Sequence, residues 1–284
     1  MPRFLIAQSE TPDERAARRA HTGQSSGESY ADTLHQMKPD ATIEICQPAD
    51  DDSPVFTAEQ LATFDAIFLT GSPLHVYDDT PAVRRQLAFM RAIFAAGTPS
   101  FGSCAGLQVA VAAAGGTVRK MPERMEAGFS RRIVATDDGR DHPLLAGRPP
   151  TWDAPAIHGD EVETLPPGAT RLAGNAVTRI QAAEIRHDKG VFWGVQYHPE
   201  LSLSEIAIAL RRQADGLVEA GLAETPAEVE ERADLIAALH DEPERRSLRW
   251  RLGVDGELAD TDARRREIAN FLDALPSIDR RGAR

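Results

Sequence analysis

The first hundred residues alternate between short apolar runs and segments with helical spacing. Strands are predicted at 3–8, 42–46 and 66–70, and helices at 29–37 and 82–95. The third strand is apolar at almost every position, which is typical of a strand covered on both faces. Strands that alternate with helices favour an α/β fold with a parallel, doubly wound sheet. Because ligands bind at the carboxyl ends of such strands, residues that directly follow a strand are candidates for a functional site.

Cys104 follows a further apolar run and precedes the helix-forming run 109–114. Gly102 and Gly106 lie two residues away on either side, where small residues allow the sharp turn that presents a nucleophile. The N-terminus of the following helix points at the sulfur and favours the thiolate. We therefore predict that Cys104 is a nucleophile; a buried structural cysteine is the alternative. Cys46 has no such neighbours and is predicted to be a core residue.

A histidine and a glutamate end another predicted strand. His198-Pro199-Glu200 follows the apolar run 191–197, and in extended backbone residues i and i+2 point to the same side. A cysteine nucleophile needs a base, and the base needs an acceptor that orients its ring. His198 and Glu200 are thus the predicted base and orienting acid. The alternative for Glu200 is an acid in the first turn of the next helix.

Composition limits the classes of partner and cofactor. The net charge is −12 and the longest basic run is 264–266, so nucleic acid is not expected. No stretch approaches the roughly 18 apolar residues of a membrane span, and the apolar start, 1–7, is too short for a signal peptide. A disulfide would consume Cys104, so free thiols in a reducing cytoplasm are expected. The histidines lack metal-ligand spacing and there is no phosphate-binding loop, so no metal or cofactor is predicted.

Two motifs together resemble those of the class I, triad-type glutamine amidotransferases. They are Gly102-Ser103-Cys104-Ala105-Gly106-Leu107-Gln108 and Gly194-Val195-Gln196-Tyr197-His198-Pro199-Glu200. With Leu69-Thr70-Gly71-Ser72-Pro73 and Val76-Tyr77-Asp78, the likeness is greatest to the glutaminase domain of GMP synthases and their free-standing relatives, and it covers 1–204. The resemblance implies a flavodoxin-like fold with a mostly parallel sheet and flanking helices. It also implies hydrolysis of the γ-amide of glutamine, or of a γ-glutamyl amide, through a thioester.

The resemblance implies further site residues. One oxyanion donor is the amide of Ala105, which the turn itself provides, and the second is Ser72 or a neighbour. Many relatives have glycine where Ser72 stands. A serine at this position is expected to restrict a flip of the backbone there. The implied substrate-binding residues are Gly71, Pro73, Gln108, Ser130, Arg131 and His158. The alternatives are a solvated arginine at Arg131 and a simple turn at His158-Gly159-Asp160.

Two segments lie outside the core motifs. The stretch 10–28 is predicted to be an insertion near the mouth of the site, with a short helix from Pro12 and a polar loop at 21–27; a solvated surface loop is the alternative. Residues 205–284 are predicted to be a helical extension, with helices at 203–220, 226–239 and 261–275. It either packs on the first domain, 1–204, or serves as a dimerisation arm.

Several functions remain open at this point. The chain is either a glutaminase subunit that feeds ammonia to a separate synthase or a free-standing hydrolase or transferase of γ-glutamyl compounds. An α/β-hydrolase with a cysteine nucleophile is disfavoured, because that family places its acid between nucleophile and histidine in chain order. A silent regulatory protein is disfavoured by the complete set of Cys104, His198 and Glu200.

Overall fold

The computed structural model describes residues 1–122 and 124–278. Its strands, in chain order, are β1 (Arg3–Ala7), β2 (Thr42–Cys46), β3 (Ala66–Leu69), β4 (Ser100–Ser103), β5 (Thr117–Lys120), β6 (Glu126–Ala135), β7 (Trp152–His158), β8 (Asp160–Thr164), β9 (Ala169–Gly174), β10 (Ala182–His187) and β11 (Gly190–Val195). Its helices are α1 (Pro12–Thr22), α2 (Ser26–Met37), α3 (Ala58–Leu61), α4 (Pro81–Ala96), α5 (Ala105–Ala113), α6 (Asp137–Arg140), α7 (Leu203–Arg212), α8 (Ala214–Glu219), α9 (Pro226–Asp241), α10 (Arg246–Leu252), α11 (Gly256–Ala259), α12 (Thr261–Arg264) and α13 (Arg266–Ala274), with a 3₁₀ turn at Pro143–Leu145.

One large sheet organises the fold. Its strand order is β2-β1-β3-β4-β11-β10-β9-β6-β7. The strands from β2 to β11 are parallel, and the others extend the sheet in antiparallel pairs. The predicted α/β fold is confirmed. β10 and β11 form a hairpin in which His187 lies opposite Gly190. β5 pairs with β8 in a separate two-stranded sheet.

Helices cover both faces of the parallel half. Alternate residues of β1 show this, because side chains alternate across a strand. Phe4 and Ile6 belong to the apolar cluster that includes residues of α2 and α13. Leu5 and Ala7 belong to the cluster that includes residues of α4 and α5. Apolar runs in these strands therefore reflect burial on two sides, as the sequence indicated.

The segment 10–28 contains two capped helices. Thr11 caps α1 and Ser25 caps α2, each in a capping box with the glutamate three residues on. The helix predicted from Pro12 is present. The polar loop predicted at 21–27 is reduced to a short link, because the Ser25 cap starts α2 inside it and α1 continues to Thr22.

The segment after residue 204 packs in two places. Residues of α7 to α11 form a third apolar cluster with Phe129 of β6. α13 instead reaches the main sheet, where the ring of Phe271 lies 5.6 Å from that of Phe68. Nearby, the buried Glu267 carboxylate accepts hydrogen bonds from Arg148 at 2.7 Å and Tyr197 at 2.8 Å. A domain boundary at residue 204 stays a prediction, and residues 279–284 lie outside the described part.

Candidate active site

Cys104 lies at the turn between β4 and α5. Its backbone has φ 52° and ψ −110°, a conformation that is unfavourable for a residue with a side chain and that its surroundings must enforce. Its amide donates to the Val195 carbonyl of β11 at 2.9 Å. A Cβ on Gly102 would lie 3.0 Å from the main chain of Gly106, and one on Gly106 would lie 2.7 Å from the Leu69 oxygen. Both glycines are therefore required by close packing around the turn.

His198 and Glu200 follow β11, the parallel neighbour of β4. His198 Nδ1 is 2.7 Å from Glu200 Oε1, and both side chains are buried. The same carboxylate oxygen accepts a hydrogen bond from the Ser103 hydroxyl at 2.8 Å. Glu200 Oε2 is buried and has no hydrogen-bond partner among the described residues. The two residues thus share one side of the chain, as their spacing predicted.

The neighbours of His198 set its charge. Burial acts to lower its pKa, but electrostatic interaction with Glu200 and Cys104 and hydrogen bonds to both raise the pKa to about 10. These interactions favour the imidazolium at neutral pH. A thiolate–imidazolium pair is the state in which a cysteine is ready to attack.

The loop after β3 borders the same space. A Cβ on Gly71 would lie 2.8 Å from His198 Cε1 and 3.8 Å from Cys104 Cβ. Glycine is therefore needed at 71 because the loop runs directly beside the imidazole. The Ser72 hydroxyl accepts from the Leu74 amide at 3.1 Å, which shapes the turn.

Two main-chain amides near Cys104 are available to an oxyanion. The amide of Ala105 is at the first position of α5, where no intrahelical acceptor exists. The amide of Ser72 makes no hydrogen bond within residues 1–122 and 124–278. Free main-chain amides in such a position are suited to bind an oxyanion.

These groups open into a cavity of about 710 Å³. Cys104, His198 and Glu200 lie on its floor beside the loop 71–74. One wall contains Gln108 and the turn between β7 and β8, and another is formed by α1, α2 and α7. The segment 10–28 therefore borders the cavity through α1 and the start of α2; that it is an insertion stays a prediction. A cavity of this size holds a small organic molecule.

Hydrogen bonds around Asp160 fix the first wall. Gln108 Nε2 and His158 Nδ1 contact the Asp160 main-chain oxygen at 3.3 and 2.9 Å. The Asp160 carboxylate contacts His75 Nδ1 at 2.6 Å and accepts from the Tyr77 hydroxyl at 3.0 Å. Segments distant in sequence are thus locked together where they face the cavity.

A buried carboxylate, Glu126 of β6, supports this wall from behind. Its Oε2 contacts His158 Nε2 at 3.1 Å and accepts from Thr178 at 2.8 Å and Gln181 at 2.6 Å. Burial acts to raise the pKa of Glu126, but the hydrogen bond and charge of His158, with hydrogen bonds from Asn175 and Thr178, lower it to about 2. A charged Glu126 therefore orients the His158 ring.

Two predicted substrate-binding side chains lie elsewhere. The Ser130 hydroxyl donates to Glu126 at 2.9 Å within the buried network. Arg131 pairs with Asp153 at 2.8 Å and donates to the Leu252 carbonyl at 2.7 Å, which ties β6 to the end of α10. Neither residue lines the cavity. β6 thus directs both side chains to partners within the protein, and contact of the Ser130 and Arg131 main chain with the substrate stays a prediction.

Other residues of the site were not predicted. Ser103 lies inside the first motif, but the sequence does not show that its hydroxyl is buried beside the Glu200 carboxylate. Glu10 follows β1 as Cys104 follows β4, so the strand-end rule would have found it. Ser26 and Tyr30 lie on α2 and carry no local signal.

The described residues show neither a metal site nor a membrane-spanning helix, and their cysteines are not bonded to each other. Among them, no group of three or more His, Cys, Asp or Glu residues is placed to hold a metal ion. No described helix is both long and apolar enough to cross a membrane. Cys46 and Cys104 are free thiols, and burial raises the pKa of Cys46 to about 12.

Comparison with known proteins places this geometry in a family. The sequence model of the family described as "Glutamine amidotransferase class-I" matches residues 24–213. The chain belongs to the class I glutamine amidotransferases. This membership agrees with the resemblance carried by the two motifs, and the matched range contains the floor of the cavity but not α1.

Proteins similar in sequence to this chain include an amide hydrolase and a glutamine-hydrolyzing synthase. A gamma-glutamyl-L-1-hydroxyisopropylamide hydrolase from Pseudomonas sp is 40% identical over 240 residues, which are 83% of this chain and 80% of that protein. A glutamine-hydrolyzing GMP synthase from Wolinella succinogenes is 36% identical over 141 residues, 49% of this chain and 25% of that protein. The chain thus spans a quarter of that synthase.

Solved structures of class I amidotransferases share the fold. A glutamine amidotransferase from Thermotoga maritima has a TM-score of 0.64 at 17% identity and covers 96% of this chain and 97% of its own. One from Methylobacillus flagellatus has a TM-score of 0.60 at 18% identity, with 96% and 94% covered. The likeness extends over the helical segment after residue 204.

Proposed function

We propose that this chain by itself hydrolyses γ-glutamyl amides, with Cys104 as nucleophile, His198 as general acid and base, and Glu200 as the group that orients the imidazole. The observation that carries the proposal is the 2.7 Å contact of His198 Nδ1 with Glu200 Oε1 beside the strained Cys104 turn, at the floor of a cavity. Gly71, Pro73, Gln108 and His158 line the same cavity and are proposed to contact the γ-glutamyl group.

The proposed reaction has two halves. The Cys104 thiolate attacks the γ-carbonyl carbon, a C–S bond forms, and the oxyanion is held by the amides of Ala105 and Ser72. Collapse of this intermediate breaks the C–N bond, and His198 gives its proton to the leaving amine. His198 then takes a proton from water as the water adds to the thioester. The second collapse breaks the C–S bond, releases glutamate and restores the thiolate–imidazolium pair.

Two observations favour a hydrolase that acts alone over a glutaminase that delivers ammonia to a synthase, and the first is the structure at the mouth of the cavity. α1 and α7 border it and are joined by the Arg18–Glu205 ion pair. The 40% identical Pseudomonas relative, named as an amide hydrolase, matches over most of both chains. The alternative is a glutaminase that serves a separate synthase, which is favoured by 32% identity over 121 residues to one subunit of a glutamine-hydrolyzing GMP synthase from Methanoculleus marisnigri. A homodimer and a cytoplasmic location stay predictions.

Glutamate release by the purified chain tests this proposal. Glutamine and simple γ-glutamyl alkylamides are supplied without any partner, and Cys104→Ala and Cys46→Ala are compared with the wild type. We expect release that Cys104→Ala lowers by about 10⁴ or more and that Cys46→Ala retains. No release, with Cys104 still alkylated by a glutamine-like electrophile, would favour the alternative in which a separate synthase receives the ammonia. An inert Cys104 would contradict both.

A further inference from the structure

The leaving amine has a defined place in this cavity. Because His198 gives it a proton, the amine lies on the imidazole side of the Cys104 sulfur. α2 borders that side, since Thr33 Oγ1 is 3.5 Å from the Glu200 carbonyl, and α7 begins three residues after Glu200. The substituent of the amine therefore extends into the space enclosed by α1, α2 and α7. We call this space the amine subsite; it is lined by Glu10, Asp13, Glu14, Arg18, Ser26 and Tyr30.

The amine subsite carries an excess of negative charge. Its carboxylates are those of Glu10, Asp13 and Glu14, and Glu205 adds a fourth at the α7 side. Arg18 is paired with Glu205 at 2.8 Å, and Arg212 is exposed at the rim. Two guanidiniums thus face four carboxylates. Such a surface favours cationic ligands.

Glu10 is the most buried of these carboxylates; it makes no ion pair within the described ranges, although the more distant charge of Arg19 acts on it. It is only 5% exposed, and its Oε2 accepts from the Ser26 hydroxyl at 2.8 Å and from Gln8 at 3.0 Å. Within residues 1–122 and 124–278, no hydrogen bond reaches Oε1 and no cationic side chain pairs with the carboxylate. The guanidinium of Arg15 contacts the Glu10 main-chain oxygen instead. A buried carboxylate without a cation is unfavourable, so this one is suited to a cation brought by the ligand.

A second unpartnered group borders the same space. The Tyr30 hydroxyl is buried and has no hydrogen-bond partner among the described residues, and Tyr30 lines the cavity. The distance to be spanned is short. β1 and β4 are separated by β3 alone, so their carboxyl ends lie roughly 10 Å apart along the sheet edge. Cys104 directly follows β4, and Glu10 lies three residues beyond the end of β1. A short aliphatic chain on the amine covers that distance.

We propose that the amine subsite selects γ-glutamyl amides whose leaving amine carries a second, positively charged nitrogen on a short aliphatic spacer, with Glu10 as the carboxylate that pairs with it. This inference rests on the proposed function and names its substrate class. Hydroxylated amines, which the name of the Pseudomonas relative describes, are the competing class.

Three amides of matched length test the selection in the wild type. They are the 4-aminobutyl, 4-hydroxybutyl and n-pentyl amides of the glutamate γ-carboxyl, which differ only in a terminal ammonium, hydroxyl or methyl group. We expect kcat/KM for the ammonium compound to exceed that for the methyl compound by roughly tenfold or more. A ratio near one, or a preference for the hydroxyl compound, would overturn the inference and leave amide hydrolysis intact. If none is cleaved, binding of the three compounds to Cys104→Ala decides the selection separately.

The role of Glu10 is tested by a charge-matched pair of variants. Glu10→Gln removes the carboxylate charge at the same size and is expected to reduce the ammonium-to-methyl ratio to about threefold or less. Glu59→Gln removes one negative charge at an exposed position outside the cavity and is expected to keep the wild-type ratio. Equal ratios in Glu10→Gln and wild type would contradict pairing by Glu10. If Glu10→Gln does not fold, the wild-type ratios still decide the substrate class.

Discussion

The floor and the mouth of the cavity are held in different ways. At the floor, packing is so close that a Cβ on Gly71 would meet the His198 ring and one on Gly102 would meet the main chain of Gly106, and the strands beneath are buried on both faces. At the mouth, α1 has no buried residue. It is held instead by three ion pairs, Arg15–Asp50, Arg18–Glu205 and Arg19–Glu28.

This difference separates chemistry from selection. Close packing is stiff, so it holds reacting atoms within the small tolerances that catalysis needs. Of the ion pairs that hold α1, Arg19–Glu28 is largely exposed and contributes little free energy. Arg15–Asp50 and Arg18–Glu205 are more buried, but an ion pair fixes α1 at single points rather than over a packed face. The floor lies inside the range matched by the family, 24–213, whereas α1 lies outside it. We infer that amide cleavage is set by the floor and the choice of amine by the mouth.

The largest effect is expected from a methyl group at the floor. Gly71→Ala would place a Cβ 2.8 Å from His198 Cε1, so the imidazole must move, and kcat/KM should fall about 100-fold. Gly159→Ala is the matched control in the same cavity, since its Cβ would meet nothing closer than 4.0 Å. It should change kcat/KM less than about threefold. Equal losses in the two variants would show that the floor is not the stiffer region.

Glu126 tests whether the wall behind the site is also rigid. Glu126→Gln should raise KM about tenfold and lower the free energy of unfolding by about 1–3 kcal/mol, because His158 loses its charged partner. Glu184→Gln is the control: Glu184 is another buried carboxylate whose pKa is lowered to about 2, although burial opposes the shift, because His142, Arg186 and Trp193 donate hydrogen bonds to it. It should cost similar stability without raising KM.

The pH dependence of these two variants has a defined sign. Each carboxylate has a pKa lowered from 4.5 to about 2 in the folded state. Its stabilising contribution is therefore complete above 4.5 and is lost as the pH falls toward 2. Denaturant unfolding of wild type and variant should differ most near neutral pH and converge in acid. A difference that is constant with pH would contradict the assigned charge states.

A smaller effect is expected at Ser103. Ser103→Ala removes one of two hydrogen bonds to Glu200 Oε1, so kcat should fall about three- to tenfold with KM unchanged. Ser100→Ala on the same strand is the control, because the Ser100 hydroxyl is buried and has no hydrogen-bond partner within the described ranges. If both variants behave alike, Ser103 does not position Glu200.

The same contrast explains what the sequence could and could not predict. Cys104 and His198 follow strands, and a rule about strand ends needs only local apolar patterns. The side-chain directions of Ser130 and Arg131 could not be predicted, because the register of β6 shifts between Ser130 and Ile133 and Arg132 has φ 51°. Such an irregularity interrupts the alternation of side chains on which sequence reasoning depends.

Hydrogen-bond partners that are distant in sequence could not be predicted either. Glu126 lies 32 residues from His158 and 52 from Thr178 in sequence, and no periodic pattern links them. The position of α1 over the cavity depends on Glu205, which is 187 residues from Arg18. Local signals predicted the helix from Pro12, but only the folded chain shows what the helix covers.

The smallest effect is expected at the mouth itself. Arg18→Gln and Glu205→Gln, combined in a double-mutant cycle, should show a coupling of about 0.5 kcal/mol in unfolding, because the pair is partly exposed and Glu205 keeps its bond from Ser29. Hydrolysis of glutamine, which has no substituent to reach the mouth, should change little. Hydrolysis of the 4-aminobutyl amide should weaken modestly with added salt, because salt screens the exposed Asp13 carboxylate of the amine subsite, while the buried Glu10 is screened less. If glutamine and the amide respond alike to salt and to these variants, the mouth does not select the amine, and the division between floor and mouth fails.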